Sequence, residues 1–351
     1  MKIAYIIPSL DNKGPILIVN YLVKFLKDKV DQIDVYYFDV LESEVLAFDC
    51  PVHNIKMDEP INFDDYDVIH SHCLRPDLYI NKWRKKSHKA KIISTLHQDT
   101  YKSFSFQYNK IFSYILTRYW LYVQSKFDGV TVISKQLQNI YNKRLKDKAT
   151  VIYNGCYIKN HDSENLDENI LSNIMLLKET GFKVLVSYAY VTKRKGLDQI
   201  IKILPHLKEY ALVIIGNGPE IPNLKKLSLE LDIPDRMLFL EACKTPYLYL
   251  RDADIYVMPS YSEGFGLAMV EAAFQEKSIL CSDIDSFHEI FTEKEATFFT
   301  LNNQESLKNA IREAYRTKDD KAINAFEKVD SKFRAEIMAD NHLQYYKKIL
   351  N

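Results

Sequence analysis

The sequence predicts two doubly wound α/β domains in series. Three observations lead there: 351 residues are long for one hydrophobic core and comfortable for two, short apolar runs alternate with longer helix-like segments, and after one polar interruption the same rhythm resumes. The composition agrees, because 47% hydrophobic and 27% charged residues with only 9 Gly and 11 Pro describe a packed chain rather than a disordered or fibrous one.

Taken in order, the runs Ile3 to Ile7, Val35 to Phe38, Val68 to His70, Ile92 to Leu96, Val130 to Ile133 and Val151 to Tyr153 are nearly continuous in β-branched and aromatic residues. Such runs, separated by helices, read as buried parallel strands. The segment from Ile158 to Asn173 is rich in Asn, Asp, Glu and Ser and reads as the connection between domains. Beyond it lie Val184 to Ser187, Leu212 to Ile215, Met237 to Leu240, Ile255 to Met258, Ile279 to Cys281 and Thr297 to Thr300. We therefore expect one domain over 1–160, a second over 174–331, and a terminal helix over 332–351. Composition alone does not assign that helix to either domain; a return to the first is the arrangement we expect.

The net charge is zero, yet residues 1–150 carry five more cations than anions and residues 151–351 five fewer. A basic half suits an anionic acceptor or a membrane surface; a nucleic-acid binder would be more basic overall, with a clustered stripe, so no nucleic-acid partner is expected. Five scattered cysteines with no C-x-x-C pair suit a reducing compartment. The N-terminal apolar run is too short for a signal peptide, and no stretch reaches spanning length. These features predict a cytoplasmic protein, with contact at the inner face of the membrane as a further expectation.

In open α/β sheets ligands bind beyond the carboxyl ends of the strands, so the segments after each apolar run matter most. The most informative is Pro259-Ser260-Tyr261-Ser262-Glu263-Gly264-Phe265-Gly266-Leu267-Ala268-Met269-Val270-Glu271. A strand ends at Pro259, a glycine turn follows, and a helix opens near Gly266. Its first amides and its dipole favour an anion or a sugar hydroxyl, and Glu263 and Glu271 reach different parts of one extended ligand.

This stretch resembles the retaining glycosyltransferases of the GT-B fold, in particular glycosyltransferase family 4, whose two glutamates are separated by seven residues. Further segments resemble the family in the expected order: Asp67 to His72, Thr95-Leu96-His97, Val132 to Ser134, Val151 to Gly155, Leu212 to Pro219 and Ala253 to Pro259. The resemblance implies two Rossmann-like domains facing each other across a cleft, with the acceptor on the first and a nucleotide sugar, UDP-linked by expectation, on the second. It implies that Glu263 contacts the donor sugar, that Glu271 holds the nucleotide ribose, and that the amides of Gly264, Phe265, Gly266 and Leu267 face sugar and phosphate. His97 is expected to face the transferring sugar, and Gly14 to let backbone approach the donor phosphate. The implied reaction moves a hexose or N-acetylhexosamine to a glycan or lipid-linked hydroxyl in bacterial surface-polysaccharide synthesis, with no cofactor and no metal.

Three positions depart from the family. Tyr190 stands where relatives place a diphosphate-binding arginine five residues before the lysine matched by Lys195. Arg194 or Lys193 supplies that charge, or the loop is a solvated basic surface; both readings remain open. Lys13-Gly14 replaces paired glycines, and Glu241 replaces a glycine near the base, which leaves the base open.

His70 and His72 read as cleft-lining or structural, because we expect them to alternate across a strand end and not to share one ligand. The segment Phe104 to Phe127 is aromatic and basic with no acidic residue, which suits a membrane interface as well as it suits a core helix with a solvated basic edge. Lys82, Arg84, Lys85, Lys86, Lys89 and Lys91 add to it only where the fold brings them together.

Rival readings are a single-domain metal-dependent glycosyltransferase using Asp252-Ala253-Asp254 or Asp283-Ile284-Asp285, and a nucleotide-sugar-binding protein without turnover. A glycoside hydrolase is disfavoured, because a fully helical interval would put Glu263 and Glu271 about 12 Å apart.

Overall fold

The computed structural model describes residues 1–41, 45–84, 89–158 and 167–351, and divides into two compact units: Met1–Tyr157 with Phe333–Asn351, and Ile158–Lys332. Each unit is built on one sheet. The first contains β1 (Lys2–Ser9), β2 (Gln32–Asp39), β3 (Val52–Asn54), β4 (Val68–His72), β5 (Lys91–Leu96), β6 (Gly129–Val132) and β7 (Ala149–Val151). They are hydrogen-bonded in the order β3-β2-β1-β4-β5-β6-β7, every pair parallel. The second contains β8 (Lys183–Tyr188), β9 (Tyr210–Ile215), β10 (Met237–Leu240), β11 (Ile255–Met258), β12 (Ser278–Ser282) and β13 (Thr297–Phe299). Its order is β10-β9-β8-β11-β12-β13, again all parallel.

Both sheets are doubly wound, as the alternation of apolar runs requires. In each the strand order reverses at one point, between β1 and β4 in the first and between β8 and β11 in the second. Folds of this class bind ligands at such switch points, beyond the carboxyl ends of the two strands.

Sequence and structure differ at four places. The edge strand β3 was not expected: all three of its residues are exposed, so it carries no apolar run, and pairing with β2 is what orders it. β7 lies two residues earlier than its apolar run. The polar stretch at 158–173 is helical from Glu168, with the Asp167 carboxylate accepting from the Asn169 amide at 2.9 Å; residues 159–166 of that stretch lie outside the described residues. Finally, the expectation that His70 and His72 point apart is corrected. Residues two apart on a strand share a face, and their ring centroids lie 4.5 Å from each other.

The terminal helix Ala335–Leu350 belongs to the first unit and packs on the helix Gly14–Leu26. Its entry is pinned by Cys156 N to Phe333 O at 2.8 Å and Ala335 N to Cys156 O at 2.9 Å. The Tyr346 hydroxyl reaches the sheet itself, 2.7 Å from His70 Nδ1 and 3.2 Å from the Tyr5 hydroxyl.

A second anchor fixes the helix Lys110–Gln124. Asp77 is fully buried with no cation against it among the described residues, and its carboxylate accepts from Ser71 Oγ, from Ser94 Oγ at 2.9 Å, from Trp120 Nε1 at 2.6 Å and from Gln124 Nε2 at 3.0 Å. Burial pushes the Asp77 carboxyl up to about 7, against the pull of those donors. Trp120 and Gln124 thus face inward, which turns Ile111, Tyr114, Ile115, Tyr119 and Tyr122 to the exterior.

Candidate active site

The second unit's switch point brings together the basic loop after β8 and the glutamate motif after β11. Gly196 closes the basic loop in the left-handed region at φ 63°, and a Cβ there would sit 2.2 Å from the Pro259 carbonyl oxygen, so only glycine permits this approach. Tyr261 N donates to Arg194 O at 2.9 Å, and Gln199 Nε2 donates to Pro259 O at 3.0 Å. The two loops are therefore stitched through backbone, and side-chain positions follow.

Glu263 lies between the cations. Its Oε1 is 2.7 Å from Lys195 Nζ and accepts from Ser260 Oγ at 2.9 Å, while its Oε2 is 2.9 Å from Arg194 Nη1. Burial alone would raise this carboxyl, but the adjacent Lys195 and Arg194 charges overcome it and hold Glu263 down at about 2. The cluster keeps one net positive charge. Arg194 spends only Nη1 here, on Glu263 and on the Ser262 carbonyl, so Nη2 and Nε have no partner among the described residues. Lys193 is exposed, as is Tyr190 at 61%. Arg194 and Lys195 thus form a partly buried ion cluster on Glu263, while Lys193 stays in solvent.

The turn Gly264, Phe265 and Gly266 is buried and feeds the helix Leu267–Phe274. Gly266 adopts φ 103°, and a Cβ on it would lie 2.9 Å from Met269 Cε and 3.0 Å from the Phe287 ring. Among the described residues no side chain caps this helix, whose start lies at the positive end of its dipole. Five residues in, Glu271 is buried and accepts from the Tyr188 hydroxyl at 2.8 Å. Tyr188 ends β8, next to β11, and sequence reasoning missed it, because the adjacency of the two strand ends depends on a strand order that composition does not encode. Burial outweighs that hydrogen bond and raises Glu271 to about 7.

This has a measurable consequence. A carboxyl raised on folding keeps its proton longer in the folded state than in the unfolded one, so its contribution to stability declines as pH rises from its ordinary value near 4.5 to about 7. The full decline is roughly 3 kcal/mol by linkage. Glu271→Gln is expected to flatten the fall in melting temperature between those pH values, and a difference curve parallel to wild type would refute the burial argument.

The remaining predicted residues lie on the first unit. Gly14 is the first residue of the helix after β1, and a Cβ there would meet nothing within 4 Å, so the fold itself does not demand glycine. His97 follows β5, half-buried, with Nε2 2.7 Å from His72 Nδ1. Gly14 and His97 thus both stand at the carboxyl edge of the first sheet. Glu241, after β10, is exposed.

The Asp-x-Asp alternatives presuppose an architecture that this chain does not have. Two sheets replace the single domain they presuppose; Asp254 pairs with Lys318 at 3.0 Å and accepts from Val184 N at 2.9 Å, and Asp283 is 2.7 Å from His288 Nε2.

Two parallel doubly wound sheets, with a glycine turn, two glutamates and a cation pair at the second switch point, define a glycosyltransferase of the GT-B architecture. The chain matches the family described as "Glycosyl transferases group 1" over residues 173–328 and "Glycosyltransferase Family 4" over residues 52–159, and it belongs to these group 1 glycosyltransferases. It is 28% identical over 326 residues to the O-antigen biosynthesis glycosyltransferase WclY of Escherichia coli, covering 91% of this chain and 90% of that one. Among solved structures it resembles sucrose-phosphate synthase from Thermosynechococcus elongatus, with TM-score 0.80, 18% identity, and coverage of 99% of this chain and 98% of that one. It also resembles Anabaena HepE in complex with UDP and glucose, with TM-score 0.80, 17% identity, and coverage of 99% of this chain and 100% of that one.

Proposed function

We propose that this glycosyltransferase moves a hexose or N-acetylhexosamine, with retention, from a UDP-sugar to a hydroxyl of a glycan or lipid-linked acceptor in surface-polysaccharide synthesis. The observation that carries the reading is the Arg194–Lys195–Glu263 cluster beside an uncapped helix start. The similarity to WclY, an O-antigen biosynthesis glycosyltransferase, and to HepE, solved with UDP and glucose, supports the pathway and the donor class.

In this reading the bond between the anomeric carbon and the β-phosphate oxygen breaks, and the acceptor oxygen bonds to that carbon from the same face. The acceptor proton passes to the departing phosphate. Negative charge builds on the diphosphate, so Lys195, the unpaired donors of Arg194 and the Gly264 to Leu267 amides supply the largest stabilisation. Glu263 and His97 orient the sugar, Glu271 holds the ribose, and Gly14 lets backbone approach phosphate. No cofactor or metal takes part.

The test is a thermal-shift screen of UDP, GDP, ADP and CMP sugars, followed by transfer assays in excess chelator. UDP-sugars are expected to raise the melting temperature, transfer is expected to persist in chelator, and Glu271→Ala is expected to weaken UDP binding by about tenfold or more. Unchanged donor affinity in Glu271→Ala removes the ribose assignment, and donor binding without transfer to any acceptor favours the binding-protein alternative.

Membrane contact is part of the same proposal. Ile111 at 76% and Ile115 at 58% exposure lie among exposed Tyr108, Phe112, Tyr114, Tyr119 and Tyr122, with Lys110, Arg118 and Lys126 interleaved. Aromatic and basic groups on one exposed helix face suit an anionic bilayer surface. Of the upstream cations, Arg84 donates to the Lys126 carbonyl at the end of this segment, Lys82 donates to Met57 O, Lys89 pairs with Asp67, and Lys91 lies 4.0 Å from Asp128; Lys85 and Lys86 fall outside the described residues. No described helix is long and apolar enough to cross a membrane. Sedimentation with phosphatidylglycerol vesicles is expected to capture the protein, and Ile111→Glu with Ile115→Glu to release it at unchanged melting temperature. Equal capture of both proteins would refute this surface.

A further inference from the structure

The histidines of the first unit carry information beyond the reading above. His72, the last residue of β4, is fully buried; its Nδ1 is 2.7 Å from His97 Nε2, with ring centroids 4.9 Å apart. Its other nitrogen, Nε2, has no hydrogen-bond partner among the described residues. On its far side His72 packs 4.5 Å from His70, whose nitrogens are both engaged, at 2.7 Å from the Tyr346 hydroxyl and 2.7 Å from Thr95 Oγ1. The His72 ring is therefore held in place.

One proton bridges His72 and His97, and there are two ways to place it. If His97 Nε2–H donates, neutral His72 must carry its own proton on Nε2, a buried N–H with nothing to accept it. If His72 Nδ1–H donates, the orphan nitrogen is only a bare lone pair. Stranded buried donors are rarer and costlier than stranded acceptors. A cationic His72 would strand a donor as well, and burial already pushes this imidazole well below its ordinary range.

We infer that His72 is a positioning residue: its Nδ1–H donates to His97 Nε2 and fixes His97 as the tautomer protonated on Nδ1. His97 Nδ1 has no hydrogen-bond partner among the described residues, and the ring is half-buried at the carboxyl edge of the first sheet. His97 thereby presents one fixed N–H donor to whatever lies beyond that edge. The consequence for sugar transfer rests on the proposed function, in which His97 faces the transferring sugar; the donor then meets an oxygen of that sugar. A free imidazole would exchange its two tautomers, and the fixed one removes that freedom.

The experiment pairs histidine 15N–1H correlation spectra with kinetics. In the wild-type protein, with His97 assigned by its loss in His97→Ala, the spectrum is expected to show Nδ1 protonated and Nε2 bare. His72→Phe keeps a ring without a donor and is expected to shift His97 toward the other tautomer and lower kcat roughly tenfold at unchanged UDP affinity. His72→Asn places an amide donor at the Nδ1 position and is expected to restore both. A wild-type His97 protonated on Nε2 overturns the inference, as does His72→Phe with wild-type kcat or His72→Asn with the Phe-like spectrum. Should His72→Phe not fold, the wild-type spectrum and His72→Asn decide alone. Should no donor sugar be transferred at all, the functional reading fails while the spectrum still settles the tautomer.

Discussion

Replacing Lys195 by alanine is expected to slow sugar transfer by about 10²- to 10³-fold, the size of effect seen when one preorganised donor to a developing negative charge is removed. The same change should leave the melting temperature within a few degrees of wild type. Glu263 keeps Arg194 at 2.9 Å and the Ser260 hydroxyl at 2.9 Å, so its carboxylate is not left alone in a buried turn. The separation of the two readouts is the informative part. A structural ion pair would lose stability and rate together, and a Lys195→Ala protein that transfers sugar at the wild-type rate would remove the lysine from the diphosphate altogether.

The second large effect is expected at Gly196, where stability is lost together with rate. Gly196→Ala must place a Cβ 2.2 Å from the Pro259 carbonyl oxygen while holding φ 63°. The obstacle is backbone, which cannot swing aside as a flexible side chain does. A destabilisation of about 3 kcal/mol follows from strain of this kind, or roughly 6–12 °C in melting temperature. Transfer falls as well, because the turn carrying Arg194 and Lys195 has to move off the Glu263 loop. Calorimetry and the transfer assay check both halves. A variant melting with wild type would mean the two loops are not in contact at this point.

The strands were legible because most are buried and all lie in parallel sheets, where apolar runs are nearly continuous. β3 was not, for the same reason inverted: Val52, His53 and Asn54 are all exposed, so no solvent-avoidance pattern marks them. The rule that ligands gather at carboxyl ends of strands selected the loops after β8 and β11 from sequence alone. It did not reveal that Arg194 and Lys195 close on one carboxylate, since that depends on strand order, and order is set by crossovers that composition does not encode. Tyr188 on Glu271 escaped notice for the same reason. The misreading of His70 and His72 was of another kind: strand periodicity, properly applied, places them on one face, and the tautomer inference grows from that correction. Asp77 sat in plain view, yet nothing local says that a helix 33 or more residues downstream will bring Trp120 and Gln124 to it.

The return of the terminal helix to the first unit has a bearing on how the protein is made. Translation proceeds from the N-terminus, so the segment holding Tyr5, His70 and the helix Gly14–Leu26 emerges while the residues that cover it are still more than 170 codons from being read. The intervening unit is complete in sequence before that cover arrives. Until Tyr346 docks, the nascent first lobe shows an apolar groove to the cell, and the ribosome-bound intermediate is where chaperone capture and premature association would strike. Nonsense mutations just ahead of the helix Ala335–Leu350 would injure the lobe that was synthesised first.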